Sequence, residues 1–178
     1  MAKPTILAFS GWSGSGKTTL VCAVVEALTR QDLRVGVIKH DGHAFSRDVC
    51  GSDTHRLTEA GATRTVLCGR SGLVVREAPC PEPELDVLIS RFGAGVDVLL
   101  LEGFKHAAVD KIEVYRPSVG QPPLFGRPQA YPRIIAVATD EVIPLPAGLV
   151  HLDLNRPDEV AAFILRYRSQ TDRGRAWA

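Results

Sequence analysis

The chain has 178 residues, of which 45% are hydrophobic and 23% are charged, and its formal net charge is +1. These values are typical of one globular domain with its own core, and they exclude a largely disordered chain. Because positive and negative charges nearly balance and no strongly basic block is present, binding to nucleic acid is not expected.

The sequence also predicts a cytoplasmic location without membrane association. Its first residues, Met-Ala-Lys-Pro, lead straight into a predicted strand without the features of a signal peptide, and no apolar run is long enough to cross a membrane. The four cysteines are far apart and form no C-x-x-C pair, so we expect free thiols and neither disulfides nor a zinc site. They are Cys22, Cys50, Cys68 and Cys80.

A β-α-β unit is predicted at the start of the chain. Residues 5–9 form an apolar strand, residues 17–30 carry apolar side chains at helical spacing, and residues 34–39 form a second short strand. The crossover between the two parallel strands is expected to be right-handed. A loop rich in glycine, histidine and aspartate follows at 40–51 and is a candidate nucleotide-dependent switch.

The middle of the chain predicts a short helix and a hairpin. The helix covers residues 53–60, with Ser52 or Asp53 as its N-cap. The hairpin strands are residues 65–68 and 73–75, joined by a four-residue turn.

The second half of the chain adds strands to the predicted sheet. A linker at 79–84 leads to an amphipathic helix at 85–92. Four strands follow, at residues 96–101, 111–116, 133–139 and 149–154. The strand at 111–116 alternates polar and apolar residues, which predicts one exposed face. The segment 117–132 carries five prolines and little periodicity, as expected of a functional or mobile loop.

The chain is predicted to end in a helix at 158–167, opened by Pro157, and a tail from Arg168 that is expected to fray. Taken together, the elements predict a single three-layer α/β domain, residues 1–178, with a largely parallel sheet.

Residues 11–18 read Gly-Trp-Ser-Gly-Ser-Gly-Lys-Thr, a complete G-x-x-x-x-G-K-[ST] phosphate-binding loop between a strand and a helix. The glycines let backbone N–H groups approach phosphate oxygens closely. Lys17 supplies a positive charge for the β- and γ-phosphates, Thr18 offers a hydroxyl to Mg²⁺, and the helix adds the positive end of its dipole. The loop predicts binding of a nucleoside triphosphate.

In open parallel sheets, ligands bind beyond the carboxyl ends of the strands, and this rule selects among the carboxylates. Glu102 ends the strand at 96–101 and is assigned to Mg²⁺, directly or through water, with Gly103 as a backbone contact near the γ-phosphate. Asp41 follows the second strand and either contributes to the Mg²⁺ site, orients a water, or only forms a turn before Gly42. Asp97 lies at the opposite end of its strand and is expected to be a turn residue.

Three further sites leave alternatives open. Lys105 either meets an anionic substrate or the triphosphate, or is only solvated. Asp140 ends a strand and either accepts N1–H and N2–H₂ of guanine, which adenine cannot offer, or belongs to a turn. His40 and His43 bracket Asp41, where a polar loop is a better interpretation than a transition-metal site.

Several segments resemble the molybdopterin-guanine dinucleotide biosynthesis protein B (MobB) family. They are, in order, G-W-S-G-S-G-K-T-T-L, V-G-V-I-K-H-D-G-H, G-S-D-T-H-R with A-G-A following, D-V-L-L-L-E-G-F-K and K-I-E-V-Y-R. The match runs from about Thr5 to about Thr139. The segments V-I-K-H-D-G-H and E-G-F-K are far more specific than the phosphate-binding loop, which many unrelated proteins share.

This resemblance implies a dimeric GTP-binding protein with weak Mg²⁺-dependent GTPase activity. Such proteins assist the attachment of GMP to molybdopterin and support a separate guanylyltransferase. The resemblance assigns Gly11 to Thr18 to phosphate and Mg²⁺, Asp41 and Glu102 to the Mg²⁺ region, and Asp140 to guanine. The usual guanine motif of GTPases, [NT]-K-x-D, is represented here only by Ala138-Thr139-Asp140.

The predicted site therefore has three overlapping parts. The nucleotide contacts are Gly11, Ser13, Gly14, Ser15, Gly16, Lys17, Thr18, Thr19, Gly103 and Asp140. The catalytic residues are Lys17, Asp41 and Glu102. The Mg²⁺ ligands are Thr18, Asp41 and Glu102.

Hydrolysis is expected to be slow because the sequence shows no obvious intrinsic arginine finger, with Arg47, Arg56 and Arg70 as the only guesses. A small-molecule kinase is one alternative, but an arginine-rich lid and an acceptor pocket do not stand out. A nickel metallochaperone GTPase is another, but Cys80 has no nearby histidine. A non-catalytic adapter, whose nucleotide only controls docking to a partner, overlaps with the family interpretation.

Overall fold

The computed structural model describes residues 3–41, 51–77 and 82–175. The chain divides into two compact units, one formed by Met1–His40 with Leu85–Ala178 and the other by Asp41–Glu84. The sequence predicts one domain, and no shift in composition at residue 41 or 84 indicates a division.

The described residues contain eight strands and four α-helices. The strands are β1 (Thr5–Ser10), β2 (Val35–Lys39), β3 (Arg64–Gly69), β4 (Gly72–Glu77), β5 (Val98–Glu102), β6 (Lys111–Tyr115), β7 (Ile134–Thr139) and β8 (Val150–Asp153). The helices are α1 (Lys17–Thr29), α2 (Asp53–Glu59), α3 (Leu85–Phe92) and α4 (Pro157–Arg175), with 3₁₀ turns at Pro117–Val119 and Leu124–Gly126. No described helix combines the length and the apolar character needed to cross a membrane.

The larger unit is built on a six-stranded sheet in the order β2-β5-β1-β6-β7-β8. Every neighbouring pair of these strands is parallel. Their carboxyl ends therefore meet at one edge of the sheet, which is the edge where ligands bind in such folds. The predicted α/β class with a largely parallel sheet is confirmed.

Helices cover both faces of this sheet. Strand β5 is fully buried, and its alternate residues face opposite sides. Leu100 belongs to the main core with residues of α1 and α4, while Leu99 and Leu101 form a second cluster against Leu85 and Ile89 of α3. These two clusters make the three layers that the hydrophobic periodicity predicts.

Strand β6 differs from its prediction, because its polar face is buried. Lys111 is 0% exposed, and its Nζ donates to the carbonyl groups of Val109 (2.9 Å), Pro132 (2.7 Å) and Ala107. Buried charged groups are tolerated when hydrogen bonds satisfy them. The polar side chains of β6 therefore bond to the backbone of neighbouring loops. The prediction that this face is exposed to solvent is wrong.

The proline-rich segment 117–132 is anchored by the next polar residue of β6. Glu113 is fully buried, and its carboxylate accepts the backbone N–H groups of Leu124 (2.6 Å) and Phe125 (2.9 Å). Burial raises the pKa of Glu113, and the two backbone N–H groups oppose this rise. The segment needs no periodic pattern of apolar side chains, because hydrogen bonds between the Glu113 carboxylate and the backbone hold it in place.

Helix α4 runs to Arg175, beyond the predicted end at Tyr167. The Ser169 hydroxyl donates to the carbonyl of Leu165, and the Thr171 hydroxyl donates to that of Tyr167. Arginine and glutamine are good helix formers, so the loss of apolar periodicity after Tyr167 does not end the helix. The expected frayed tail from Arg168 is instead helical as far as Arg175.

The smaller unit contains the predicted short helix and hairpin. Ser52 caps α2 by accepting the N–H of His55 (3.2 Å). Strands β3 and β4 pair antiparallel with Gly69 opposite Gly72, which confirms the predicted hairpin but leaves two residues, 70 and 71, between the strands in place of the predicted four. Several apolar side chains of this hairpin are exposed, namely Val66, Leu67, Leu73, Val74 and Val75.

Asp97 is held at the amino-terminal edge of the sheet, as its position in the sequence predicts. Its Oδ2 accepts the backbone N–H (2.9 Å) and the Nε–H (3.1 Å) of Arg34. These hydrogen bonds lower the pKa of Asp97 from its ordinary value of 3.8 to about 2. The carboxylate therefore joins the starts of β2 and β5.

We expect Asp97→Asn to lower the free energy of unfolding at neutral pH and to lose this effect in acid. Because the folded-state pKa is depressed, the stabilisation is present above about 3.8 and disappears as the pH falls towards about 2. Urea unfolding between these limits and neutral pH measures it. Asp32→Asn, which changes an exposed turn aspartate, is the matched control. A difference between Asp97→Asn and wild type that does not change with pH would contradict the prediction.

Candidate nucleotide-binding site

The phosphate-binding loop joins the end of β1 to the start of α1 at the carboxyl edge of the sheet. A Cβ on Gly11 would lie 2.2 Å from the carbonyl oxygen of Val114, so only glycine lets the loop pass against β6. Gly16 is the N-cap of α1 and has a left-handed backbone with φ of 90°. The strand, loop and helix have the arrangement that the sequence predicts.

Lys17 folds back over this loop, where its Nζ donates to the carbonyl of Trp12 (2.7 Å). Burial lowers the pKa of Lys17, the charge of Glu102 opposes this, and the charges of Lys39 and Lys105 add to it. Three ammonium groups thus act near a single carboxylate. This excess of positive charge favours a polyanion such as a triphosphate.

Thr18 and Glu102 lie together, as the strand-end rule predicts. The Thr18 hydroxyl donates to Glu102 Oε1 at 2.5 Å, and Glu102 is buried at the end of β5. Lys39 Nζ is 2.9 Å from the same Oε1 and 3.2 Å from Thr18 Oγ1. A hydroxyl and a carboxylate are the oxygen ligands that Mg²⁺ accepts beside phosphate and water, so these two residues fit that ion.

Lys39 is a residue that the sequence analysis missed. It ends β2, and β2 pairs with β5 so that Lys39 lies opposite Glu102. The rule that selected Glu102, that ligands bind at the carboxyl ends of parallel strands, selects Lys39 as well. Its charge would neutralise part of a triphosphate.

The remaining loop residues differ in exposure. The side chains at the mouth of the loop are exposed, namely those of Ser13, Thr18 and Thr19, as is the backbone of Gly14. Ser15 is buried, and its hydroxyl has no hydrogen-bond partner within the described part of the chain. A buried hydroxyl without a partner costs free energy until a ligand satisfies it.

Gly103 makes backbone contacts inside the protein, and its predicted contact near the γ-phosphate stays a prediction. Its N–H donates to the carbonyl of Phe9 (2.9 Å), and its carbonyl accepts the Ser10 hydroxyl (2.5 Å). Its φ is +97°, and a Cβ there would lie 3.0 Å from the carbonyl oxygen of His40. Gly103 is therefore needed for close packing of β1, β5 and the end of β2, because its amide is already bonded inside the protein.

An aromatic pair lies beside the loop and holds Lys105. Trp12 Nε1 donates to the carbonyl of Pro122 (2.7 Å), and its ring lies edge-on to that of Tyr131 at 6.3 Å. Lys105 Nζ is 4.5 Å from the centre of the Trp12 ring and 5.8 Å from that of Tyr131. Cation–π attraction thus holds Lys105 over the Trp12 ring, and its contact with an anion stays a prediction.

Asp140 follows β7 at the carboxyl edge, as predicted. Strands β6 and β7 pair with Tyr115 opposite Thr139, so the residues after them are neighbours. Asp140 Oδ2 is 3.3 Å from Nε of Arg116. The sequence analysis missed Arg116, although it too follows the carboxyl end of a parallel strand.

Other predicted site residues lie elsewhere. Asp41 is the first residue of the smaller unit, and its assignment to Mg²⁺ stays a prediction. The predicted switch loop and linker fall largely on residues 42–50 and 78–81, outside the described residues, as do His43, Arg47, Cys50 and Cys80. Cys22 and Cys68 are free thiols, as expected.

The central β1 strand, the glycine-rich loop and the following helix define an α/β fold of the P-loop class. The chain belongs to the MobB family, because the family model described as "Molybdopterin guanine dinucleotide synthesis protein B" matches residues 6–140.

Full-length relatives agree with this assignment. The chain is 35% identical over 168 residues to the molybdopterin-guanine dinucleotide biosynthesis adapter protein of Escherichia coli, covering 91% of this chain and 92% of that protein. It is also 35% identical over 161 residues to the Haemophilus influenzae protein of the same name, covering 89% and 86% respectively.

Solved structures share the fold. A crystal structure of molybdopterin-guanine biosynthesis protein B superposes with a TM-score of 0.70 at 29% identity, covering 91% of this chain and 99% of that one. The Bacillus subtilis MobB structure gives a TM-score of 0.72 at 24% identity, covering 91% and 96%, and supports the fold alone.

Proposed function

We propose that this protein binds GTP with Mg²⁺, hydrolyses it slowly, and acts as a homodimeric adapter in molybdopterin guanine dinucleotide biosynthesis. In that role it assists a separate guanylyltransferase that attaches GMP to molybdopterin. Two relatives that span nearly the whole chain are named as adapter proteins of this biosynthesis, which supports the proposal. The observation that carries the nucleotide part is the contact between Thr18 and Glu102 beside Lys17.

Each group at the carboxyl edge has a part in this proposal. Lys17 leaves the Trp12 carbonyl and bonds the β- and γ-phosphates, while the loop N–H groups hold the same oxygens. Thr18 and Glu102 hold Mg²⁺, which when bound offsets the negative charge of the phosphates. Lys39 and Lys105 neutralise the rest of the triphosphate.

Guanine preference is assigned to Asp140. A carboxylate there accepts N1–H and N2–H₂ of guanine, whereas adenine presents an acceptor at N1 and would face a like group. The side chain is partly exposed beside Arg116, so a base can reach it.

Equilibrium titration with GTP, GDP and ATP, with and without Mg²⁺, tests the proposal. We expect a preference for GTP over ATP that Asp140→Ala removes and that Glu141→Ala, a change at the exposed neighbouring residue, leaves intact. Equal affinity for GTP and ATP would overturn the guanine assignment, and transfer of phosphate to a small molecule instead of water would favour the kinase alternative. Absence of nucleotide binding would overturn the proposal as a whole.

A further inference from the structure

Arg116 lies between the phosphate-binding loop and Asp140. One of its terminal nitrogens, Nη2, is 3.7 Å from the position that a Cβ on Gly16 would occupy. Its Nε is 3.3 Å from Oδ2 of Asp140. The guanidinium group therefore spans the distance from the first turn of α1 to the carboxylate that follows β7.

The local sequence fixes the direction of this side chain. Pro117 disfavours a helical conformation at Arg116, which has an extended backbone with φ −135° and ψ 111°. The Arg116 carbonyl accepts the N–H of Val119 (3.0 Å), which fixes the turn that follows. The side chain of Arg116 extends towards the loop, where its Nη2 approaches Gly16.

The Nε of Arg116 is buried, and it makes no hydrogen bond of good geometry to any part of the chain that the structure describes. At 3.3 Å it is close enough to Asp140 for charge attraction. Buried donors are almost always satisfied in native proteins, so Nε needs the adjacent Asp140 carboxylate as its acceptor. The Nη2 group beside Gly16 is then the donor that faces the phosphate-binding loop.

We propose that Arg116 contacts the nucleotide, donating from its Nη groups to the phosphate chain beside Gly16 while Asp140 holds the guanidinium through Nε. The inference rests on the proposed function, because it requires a nucleotide in the loop. Guanidinium groups suit this contact, since their planar set of donors matches phosphate oxygens. The Asp140 carboxylate can accept several hydrogen bonds, so holding Arg116 leaves lone pairs for a base.

Arg116 is thus an arginine of the nucleotide site that was not predicted from the sequence, and the role inferred for it is in nucleotide binding, not in the rate of hydrolysis. Of the three arginines considered there, Arg56 and Arg70 belong to the smaller unit, and Arg47 lies outside the described residues. Arg116 belongs to the same unit as the loop, and the geometry of that unit alone carries the inference.

The experiment is calorimetric titration of wild type, Arg116→Ala and Asp140→Ala with Mg²⁺ and GTP, ATP or inorganic tripolyphosphate, which has no base. A hydrogen-bonded charge pair predicts that Arg116→Ala weakens all three by the same factor, about tenfold to a hundredfold. The GTP to ATP ratio should not change in that variant. Asp140→Ala should weaken tripolyphosphate as well, and the double variant should bind it no more weakly than Arg116→Ala.

Arg30→Ala is the matched control, since it removes an exposed ion pair between Arg30 and Asp158 on the surface helices. Unfolding by urea confirms that each variant is folded. If wild type binds GTP and tripolyphosphate while Arg116→Ala binds both equally well, the inference is wrong and the proposed function stands. A change in the GTP to ATP ratio alone would show that Arg116 reads the base, which also overturns the inference. If wild type binds no nucleotide, the proposed function itself fails.

Discussion

Lys17→Ala is expected to weaken GTP binding by at least about 100-fold while leaving the protein folded. Truncating one partner of a buried charge pair typically costs about 2–5 kcal/mol of binding free energy. A 100-fold loss of affinity corresponds to about 3 kcal/mol, which lies within this range. Burial already lowers the pKa of Lys17, so its ammonium is partly removed from water before any phosphate arrives. A charge in that state gains more from a phosphate than a fully hydrated one does.

The fold should survive this change because Lys17 begins α1 outside the hydrophobic core, and alanine is the best helix former. Lys3→Ala is the matched control, since Lys3 precedes β1 at the opposite edge of the sheet. Calorimetric titration measures the affinity, and thermal unfolding followed by circular dichroism checks the fold. If Lys17→Ala bound GTP within about threefold of wild type, the assignment of the loop would have to be abandoned.

The parts of the site that the sequence predicts are those that depend on local pattern or on one general rule. The phosphate-binding loop is a contiguous motif between a strand and a helix, so residues 11–18 contain all the information needed to place it. Glu102 and Asp140 follow from the rule that parallel strands present their carboxyl ends at one edge of the sheet. The strand order then brings Glu102 to Thr18, at 2.5 Å.

The parts that the sequence does not predict depend on contacts between distant residues. The same strand-end rule also selects Lys39 and Arg116, but lysine and arginine are common at the ends of strands. Only the contacts of these two residues with Glu102 and Asp140 set them apart from other basic residues in such positions. The anchoring of residues 117–132 through Glu113 leaves no periodic signal, because a carboxylate binds backbone N–H groups whatever side chains follow them.

The positive charge around Glu102 would let the proposed nucleotide bind to a chain that is not strongly basic. The net charge of the chain is only +1, yet Lys17, Lys39 and Lys105 act on the same small volume. All three are held by contacts to other groups, Lys17 by the Trp12 carbonyl, Lys39 by Glu102 and Lys105 by the Trp12 ring. Ammonium groups that are already held in place lose little conformational freedom when an anion binds. This advantage compensates for the weak overall attraction that a chain of low net charge exerts on an anion.

Glu113→Ala is expected to lower the free energy of unfolding by about 1–3 kcal/mol and to release the segment 117–132 from the sheet. The substitution leaves the N–H groups of Leu124 and Phe125 without their acceptor, and Leu124 is fully buried. Because burial raises the pKa of Glu113, part of this loss is offset by no longer burying a carboxylate.

Urea unfolding gives the change in stability, with Glu26→Ala as the control because Glu26 is exposed in the last turn of α1. Amide hydrogen exchange locates the change: the Leu124 and Phe125 amides should lose protection while those of β5 keep theirs. Trp12 fluorescence should also shift, since the Trp12 indole donates to the carbonyl of Pro122 in the same segment. Unchanged protection at Leu124 and Phe125 would mean that the apolar contacts of Leu124, and not the carboxylate, hold the segment beside the phosphate-binding loop.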